Sequence, residues 1–361
     1  MNTKHSTLRP FYLILQIVFA FMLMLGTSLF AQQKKEKFFS MAVLPDVQYY
    51  TAQKFNATMK MFYNQIDWIT LNAERENVIY VTQLGDITDH GDAKPKEWER
   101  AAKAMYRLEK PLSGRPDGVA YGVAVGNHDT RPNGDPNGTK DGYTKYFGRE
   151  HFKTKSYYGG AYNDSEANEN YFHLFNVNGE KFLVLYLAFN DPAKKDLYDA
   201  TLEESVYDWG VKVLKKYANH KAIIISHSIL RPPKSSKSNY KANAGDNTKQ
   251  GTFTKQGMQI FEKFKNSPNV FLMMSGHISG EALRKEEVDG RTIHVILADY
   301  QGRRNPPYEE TDRNGGNGIM RLLRFDQDNK TISVRTFTPD DKGGITEEET
   351  DDDSRFTISY R

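Results

Sequence analysis

Residues that can bind a metal ion or transfer a proton follow five separate apolar runs of the sequence. The runs are AVLPD, which leads to Asp46 and Gln48; VIYVTQLGD, which leads to Asp86 and Asp89; GVAVGNHD, which supplies Asn127, His128 and Asp129; AIIISH, which ends in His227; and VFLMMSGH, which ends in His277. A single case has a structural explanation, since a lone histidine is usually a hydrogen-bonded structural residue and an aspartate after glycine is a common turn residue or cap. Five cases at the same kind of position favour a shared site.

The donor types indicate which chemistry this site would perform. Carboxylate, amide and imidazole groups suit divalent ions such as Mn, Fe or Zn, and the chain has no cysteine to supply a thiolate. An aspartate shared by two ions could hold them about 3.5–4 Å apart, a spacing that suits in-line displacement at phosphorus. The residues therefore predict a metal centre with a hydrolytic role.

The elements that must position these residues alternate along the chain. Apolar residues recur at intervals of three and four over residues 56–74, which predicts an amphipathic helix. Further helices are predicted within residues 98–108, 209–217 and 257–265, and buried strands at 78–81, 122–125, 222–226 and 270–274. This alternation predicts an α/β fold, in which ligands bind outside the carboxyl ends of the strands.

The second part of the chain is richer in hairpins and long loops. Residues 171–189 predict two strands joined at Asn178 and Gly179, and residues 290–361 contain a further run of strands. Long polar loops are predicted at 131–160 and 231–251, and such loops are usually functional or mobile. The second loop carries Lys234, Lys237 and Lys241, which would either meet an anionic substrate or lie in a solvated connector.

The first 31 residues have the organisation of a secretory signal peptide. Lys4 and Arg9 precede an almost wholly apolar stretch, and TSLFA then leads into a charged segment, so we predict cleavage after Ala31 and export of the protein. An uncleaved membrane anchor over residues 11–31 is the alternative. Without the two basic residues of this segment, the 49 lysines and arginines fall to 47 against 46 acids, which gives no support for a nucleic acid or an anionic membrane as partner.

The motifs resemble those of the calcineurin-like metallophosphoesterases. That family has D-x-H, G-D-x-x-D, G-N-H-D, a later His and G-H-x-H, and this chain has PDVQ, GDITD, GNHD, SH and GHIS in the same order over residues 45–279. ADYQ (298–301), followed by GGNGIMRLLRFD, resembles a secreted branch of the family. The resemblance implies one domain over residues 32–361: a four-layer αββα sandwich of two mixed sheets flanked by helices, with the strands of residues 290–361 completing the second sheet.

The resemblance also implies a role for each site residue. Asp86 would bridge two divalent ions, Asp46 and Gln48 would serve the first ion, and Asn127, His227 and His277 would serve the second. A metal-bridging hydroxide would be the nucleophile and His128 the general acid, with Asp129 holding its other ring nitrogen unless Asp129 is only a loop cap. Asp89 would be a supporting acceptor or a turn residue, and Tyr300 and Gln301 would line the substrate cleft.

Two positions depart from the commonest family pattern. Gln48 and Ser279 stand where that pattern has histidine, and both positions would serve the first ion. An amide oxygen can still bind a metal, whereas the place of Ser279 would be left to water or to another side chain. We therefore expect the first site to be harder and weaker than the second, favouring Mn, Mg or Ca over Zn.

The predicted function is hydrolysis of a phosphate ester outside the cytoplasm, by phosphodiesterase or phosphomonoesterase action. Nucleotides, phospholipid headgroups and sugar phosphates all remain open as substrates, and the sequence does not predict an oligomeric state. The alternative is a non-catalytic protein that keeps one metal ion and holds a partner or a glycan through its long loops; the altered first site supports it.

Overall fold

The computed structural model describes residues 37–191, 200–233, 250–304 and 313–360. The predicted signal peptide, its membrane-anchor alternative, and the lysines at 234, 237 and 241 lie outside these ranges. Within the described ranges, no helix combines the length and the apolar character needed to cross a bilayer.

The first sheet has seven strands and contains the N-terminal strand of the domain. Strands are numbered in chain order. Three strands of this sheet come from the N-terminal part of the domain: β1 (Phe38–Leu44), β2 (Val78–Gln83) and β3 (Ala120–Val123). The other four come from its C-terminal part: β13 (Met320–Asp326), β14 (Thr331–Pro339), β15 (Ile345–Glu349) and β16 (Phe356–Ser359). The order is β15-β14-β13-β1-β2-β3, and β16 also pairs with β14. Pairing from β1 to β3 is parallel, whereas β13 runs antiparallel to β1.

The second sheet also has seven strands. They are β4 (Tyr158–Ala161), β5 (Tyr171–Val177), β6 (Glu180–Leu187), β7 (Lys221–Ser226), β10 (Val270–Ser275), β11 (Gly280–Val288) and β12 (Arg291–Asp299). Their order is β11-β12-β10-β7-β6-β5-β4, with a parallel centre from β12 to β6. The short strands β8 (Leu230–Arg231) and β9 (Thr252–Phe253) form a separate pair.

Helices cover the outer face of each sheet. The α-helices of the described ranges are α1 (Gln48–Ala52), α2 (Met59–Asn72), α3 (Pro95–Met105), α4 (Asp141–Phe147), α5 (Arg149–Phe152), α6 (Ala200–Lys216) and α7 (Lys255–Phe264). In α2, the predicted apolar stripe is buried, including Phe62, Ile66 and Ile69. Burial of one face against a sheet is what an amphipathic helix of this length needs for stability.

Three apolar cores fill the spaces between four layers. Phe39 and Tyr186 belong to a core shared by the two sheets. Trp98 of α3 belongs to the core between the first sheet and its helices. Leu214 of α6 and Phe264 of α7 belong to the core on the outer side of the second sheet. The mixed α/β fold with two sheets flanked by helices is therefore confirmed.

Two predictions about the fold are wrong in detail. Strands after residue 290 do not all complete the second sheet, because only β12 joins it, while β13 pairs with β1 and carries β14 to β16 into the first sheet. Apolar alternation predicts a strand but not its neighbour. The predicted loop at 131–160 contains α4, α5 and most of β4, held by the buried aromatic residues Tyr143, Phe147 and Phe152.

Candidate metal centre

Residues from the ends of strands in both sheets meet at one place. His227, which follows β7, has its Nε2 atom 3.2 Å from Asp86 Oδ2, which follows β2, and 4.0 Å from Asp46 Oδ2, which follows β1. One potential ligand atom from each of Asp86, His227 and His277 lies within 4.8 Å of the other two. The site therefore lies where the carboxyl ends of the parallel strands come together, as the α/β rule requires.

The imidazole of His227 is oriented for metal binding. Its Nδ1 donates a 2.9 Å hydrogen bond to the carbonyl oxygen of Leu84, so Nε2 is the nitrogen that the neutral ring would offer to a metal ion. That nitrogen lies 3.2 Å from Asn127 Oδ1 and faces Asp86. Three acceptor atoms thus converge in a buried place, and a cation is the natural partner for them. Asp86, Asn127 and His227 therefore fit a divalent ion.

The backbone around these ligands is shaped for close approach. A Cβ atom at Gly126 would lie 2.2 Å from Asp86 Oδ1, and one at Gly276 would lie 2.0 Å from Asp46 Oδ1. Asp86 and His277 themselves have positive φ angles, 53° and 74°, which are uncommon for residues with side chains. Such conformations persist where the surroundings hold them, and they often mark functional sites.

Amide groups link the carboxylates on the other side of Asp86. Gln48 Nε2 lies 2.6 Å from Gln301 Oε1 and 3.4 Å from Asp86 Oδ2. Gln301 Nε2 in turn lies 3.3 Å from Asp46 Oδ2 and 2.9 Å from Asp299 Oδ2. Gln48 is fully buried, yet its Oε1 has no hydrogen-bond partner among the described residues. An unpartnered amide oxygen beside Asp46 and Asp86 fits a hard divalent ion.

Asp299 is a site residue that the sequence analysis missed. It is fully buried at the end of β12, and burial raises its pKa to about 6. Burial also raises the pKa of Asp46, with further contributions from the charges of Asp299 and Asp86. Three buried carboxylates so close together call for cationic charge. The strand-end pattern that identified the other ligands also applies to VILAD and would have found Asp299.

Ser279 does not face the ligands through its hydroxyl. Its Oγ accepts a hydrogen bond of 3.0 Å from the backbone N–H of Gly302. This contact holds the segment that carries Gln301, and the amide of Gln301 lies between Gln48 and Asp46. Gln301, which follows β12, therefore lies beside Asp46, the carboxylate next to which the common family pattern would place a histidine.

His128 is held by Asp89 rather than by Asp129. The Nδ1 atom of His128 lies 2.9 Å from the carbonyl oxygen of Asp89 and 3.2 Å from its Oδ1. Burial alone would lower the pKa of His128, but the charge of Asp86 and the hydrogen bonds with Asp89 raise it to about 9. Lys54 forms an ion pair with the same Asp89 carboxylate. The contacts with Asp89 therefore favour the protonated imidazole, which is the form that a proton donor needs.

The role predicted for Asp129 is wrong, and it is a loop cap. Its buried carboxylate accepts the backbone N–H groups of Gly126 at 2.9 Å and of Thr88 at 3.0 Å, and the Thr88 hydroxyl at 2.9 Å. These bonds tie the loop after β3 to the loop after β2. Sequence adjacency suggested the pairing with His128, whereas the turn directs the two side chains to different partners.

A cavity of about 330 Å³ opens beside the ligands. It is lined by Tyr49, His128, His277, Ile278, Ser279, Gln301, Gly302, Arg304 and Arg313. The guanidinium of Arg313 lies 3.9 Å from the centre of the Phe55 ring and 5.1 Å from that of Tyr49. Arg304 and Arg313 both line the cavity, and the sequence analysis did not identify them.

Tyr300 does not line this cavity, contrary to prediction. It is 1% exposed, and its hydroxyl donates a 2.9 Å hydrogen bond to Glu281 Oε1. Tyr300 belongs to the core between the sheets, whereas its neighbour Gln301 faces the ligands. Successive residues of an extended chain point to opposite sides, so only one of the two reaches the cavity.

Comparison with known proteins identifies relatives of the chain. The calcineurin-like phosphoesterase family matches residues 39–280. The uncharacterized protein YvnB of Bacillus subtilis is 30% identical over 304 residues, which is 82% of this chain and 19% of that protein. The chain thus spans about a fifth of the length of this relative.

Two solved structures resemble this one. A dimetal phosphatase from Danio rerio has a TM-score of 0.49 and 14% identity, with 90% of this chain and 99% of that chain covered. GAP50, described as the anchor in the inner membrane complex of Plasmodium, has a TM-score of 0.49 and 12% identity, with 87% of this chain and 89% of that chain covered.

Proposed function

Because the chain belongs to the calcineurin-like phosphoesterase family, we propose that it is an exported hydrolase of phosphate esters that uses two divalent metal ions. The observation that carries this proposal is the convergence of Asp86, Asn127 and His227, with Nε2 of His227 lying 3.2 Å from both Asp86 Oδ2 and Asn127 Oδ1. Mn, Fe or Zn fits this mixture of oxygen and nitrogen donors.

The donor set divides into two groups around Asp86. Asn127, His227 and His277 would hold one ion, while Asp46 and Gln48 would hold the other, with Asp299 and Gln301 beside them. When bound, the ions supply charge neutralisation for the phosphoryl oxygens and activation of water. The second group lacks imidazole, so the ion held there is expected to bind more weakly and to be a hard ion.

The residues around the cavity would handle the substrate itself. His128 would give a proton to the leaving-group oxygen, since Asp89 holds Nδ1 and leaves the other ring nitrogen for the cavity that His128 lines. Arg304 and Arg313 would attract the anionic ester and orient it toward the ligands. The substrate class supported by this arrangement is a phosphate ester with a leaving group that needs protonation.

Turnover by the purified protein is the direct test. Two p-nitrophenyl esters, one a phosphodiester and one a phosphomonoester, would be supplied after chelation and after addition of Mn, Fe, Zn or Mg. We expect hydrolysis only with added metal and most strongly with Mn. The absence of turnover with every ion from neutral to alkaline pH would favour the alternative, a metal-binding protein without catalysis.

Export is a separate part of the proposal and has its own measurement. A mature chain recovered from the periplasm or the medium should begin after Ala31, which intact mass and N-terminal sequencing would show. A chain that keeps residues 1–31 in the membrane fraction would indicate the anchor instead.

A comparison of Asp89 and Asp129 tests which of them supports His128. Asp89→Asn should lower the turnover of esters with poor leaving groups by about 10- to 100-fold, as loss of an orienting partner commonly does. Asp129→Asn should lower the melting temperature, because it weakens a cap that joins two loops, while the activity of the folded protein is retained. A similar loss of activity in Asp89→Asn and Asp129→Asn would contradict the assignment of Asp89 as the partner of His128.

Gln301 is expected to tune the weaker ion. Gln301→Ala should raise the Mn concentration needed for half-maximal activity by about 10-fold or more, since outer contacts contribute that much to affinity. Gln301→Glu should lower that concentration by adding a carboxylate next to Asp46. Metal content after chelation, measured by mass spectrometry, should stay unchanged for the tighter ion in both variants. Equal Mn dependence of the two variants and the wild type would show that Gln301 has no such role.

A further inference from the structure

A second group of carboxylates lies outside the metal centre. Glu281 is the second residue of β11, and Asp351 and Asp353 lie in the turn between β15 and β16. One carboxylate oxygen from each of these three residues lies within 4.8 Å of the other two. We call this group the C-terminal acidic cluster.

Within the cluster, Glu281 is neutralised by arginines. Arg321 Nη2 lies 2.5 Å from Glu281 Oε1, and Arg303 Nη2 lies 2.8 Å from Glu281 Oε2. Glu281 and Arg321 are both almost fully buried, so this interaction is strong. Glu281 therefore does not need another cation for its own charge.

The two aspartates are less well compensated: the charge of Arg321 acts on Asp353, whose side chain otherwise hydrogen-bonds with that of Asp351. Asp353 is 9% exposed, and its Oδ1, like Oδ1 of Asp351, is buried and has no hydrogen-bond partner among the described residues. Buried carboxylate oxygens without a donor are rare, because desolvation is costly. Burial and the neighbouring Asp351 also raise the pKa of Asp353, to about 8.

If all of its acids are ionised, the group has an excess of two negative charges. Glu281, Asp351, Asp353 and the nearby Glu349 carry four negative charges when ionised, whereas Arg303 and Arg321 carry two positive ones. A single divalent cation would balance the group. All the available donors are oxygens, which Ca²⁺ prefers, and Ca²⁺ also tolerates the irregular geometry that carboxylates, backbone carbonyls and water provide.

We propose that the C-terminal acidic cluster binds one calcium ion through Asp351 and Asp353, with Glu281 beside it. The ion would join the turn before β16 to the start of β11, and thereby link the edge of the first sheet to the second. Its role would be structural, since the catalytic residues lie elsewhere.

Calcium titration of the full-length protein tests this proposal. Wild type, Asp353→Asn and the control Asp352→Asn would be chelated and then titrated with CaCl₂ by calorimetry and thermal unfolding. Asp352 is the exposed neighbour in the same turn and is not one of the three clustered carboxylates, so its substitution is a matched removal of one carboxylate. To exclude calcium binding at the metal centre, each substitution would also be combined with Asp86→Asn.

The expected result is one calcium ion per chain bound at the cluster in wild type, in Asp352→Asn and in Asp86→Asn, and none there in chains with Asp353→Asn. Millimolar calcium should raise the melting temperature by about 3–6 °C where the ion binds. In chelator, Asp353→Asn should be about as stable as wild type, because burial and the neighbouring Asp351 disfavour the charged form of this carboxyl group and the amide is neutral. Should it fail to fold, Asp351→Asn replaces it.

Two outcomes would overturn the proposal. Calcium binding and stabilisation that persist unchanged in both Asp353→Asn and Asp351→Asn would place any ion elsewhere. A wild-type protein insensitive to calcium, whose stability falls as pH rises, would show that the two aspartates share a proton instead.

Discussion

Asp86→Asn is expected to empty the metal centre and to abolish hydrolysis. Asp86 Oδ2 faces His227, and Asp86 Oδ1 accepts the backbone N–H of His128 at 2.8 Å, so both carboxylate oxygens are used. A bridging carboxylate offsets the repulsion between two ions, and a neutral amide cannot. Asparagine is the suitable replacement because Asp86 has a φ of 53°, which Asn tolerates better than Ala. Metal content by mass spectrometry and ester turnover are the measurements.

A buried carboxylate nearby provides the matched control for this variant. Asp129→Asn makes the same chemical change at an equally buried position that caps a loop. It should bind metal as the wild type does, although at a lower melting temperature. If Asp86→Asn keeps wild-type metal content, the bridging assignment is wrong. If Asp129→Asn also loses its metal, the effect comes from the loops and not from the ligand.

The convergence of the candidate ligands could be predicted from sequence because strand direction determines it. Asp46, Asp86, His227 and His277 all follow parallel strands, so the pattern of apolar runs was enough to bring them together. The partner of each strand was not predictable in the same way. β13 is mostly buried, like strands of either sheet, and only packing decides that it pairs with β1 and not with the second sheet.

Roles within the site depended on side-chain direction, which spacing does not show. Asp129 is adjacent to His128 in the chain, yet the turn aims it at Gly126 and Thr88. Tyr300 and Gln301 are also adjacent, and only Gln301 reaches the ligands. The roles of adjacent residues in irregular backbone can therefore be assigned only from the structure.

Replacement of His128 should separate proton donation from metal binding. His128→Ala removes the imidazole but keeps the backbone N–H that Asp86 accepts, so the metal content should not change. For esters with poor leaving groups, such as alkyl alcohols, we expect a loss of roughly 10²–10⁴ in turnover, the usual contribution of general acid catalysis. For p-nitrophenyl esters the loss should be much smaller, because that leaving group departs without a proton.

The dependence on the leaving group is what distinguishes a proton donor from a binding residue. The rates of wild type, His128→Ala and His128→Gln would be plotted against the pKa of the leaving group, with His220→Ala as a control for loss of a histidine between α6 and β7. A steeper slope in both His128 variants than in the wild type is expected, because charge on the departing oxygen is no longer neutralised. Parallel lines with a constant offset would assign His128 to substrate binding. A fall in metal content would show instead that the imidazole supports Asp86.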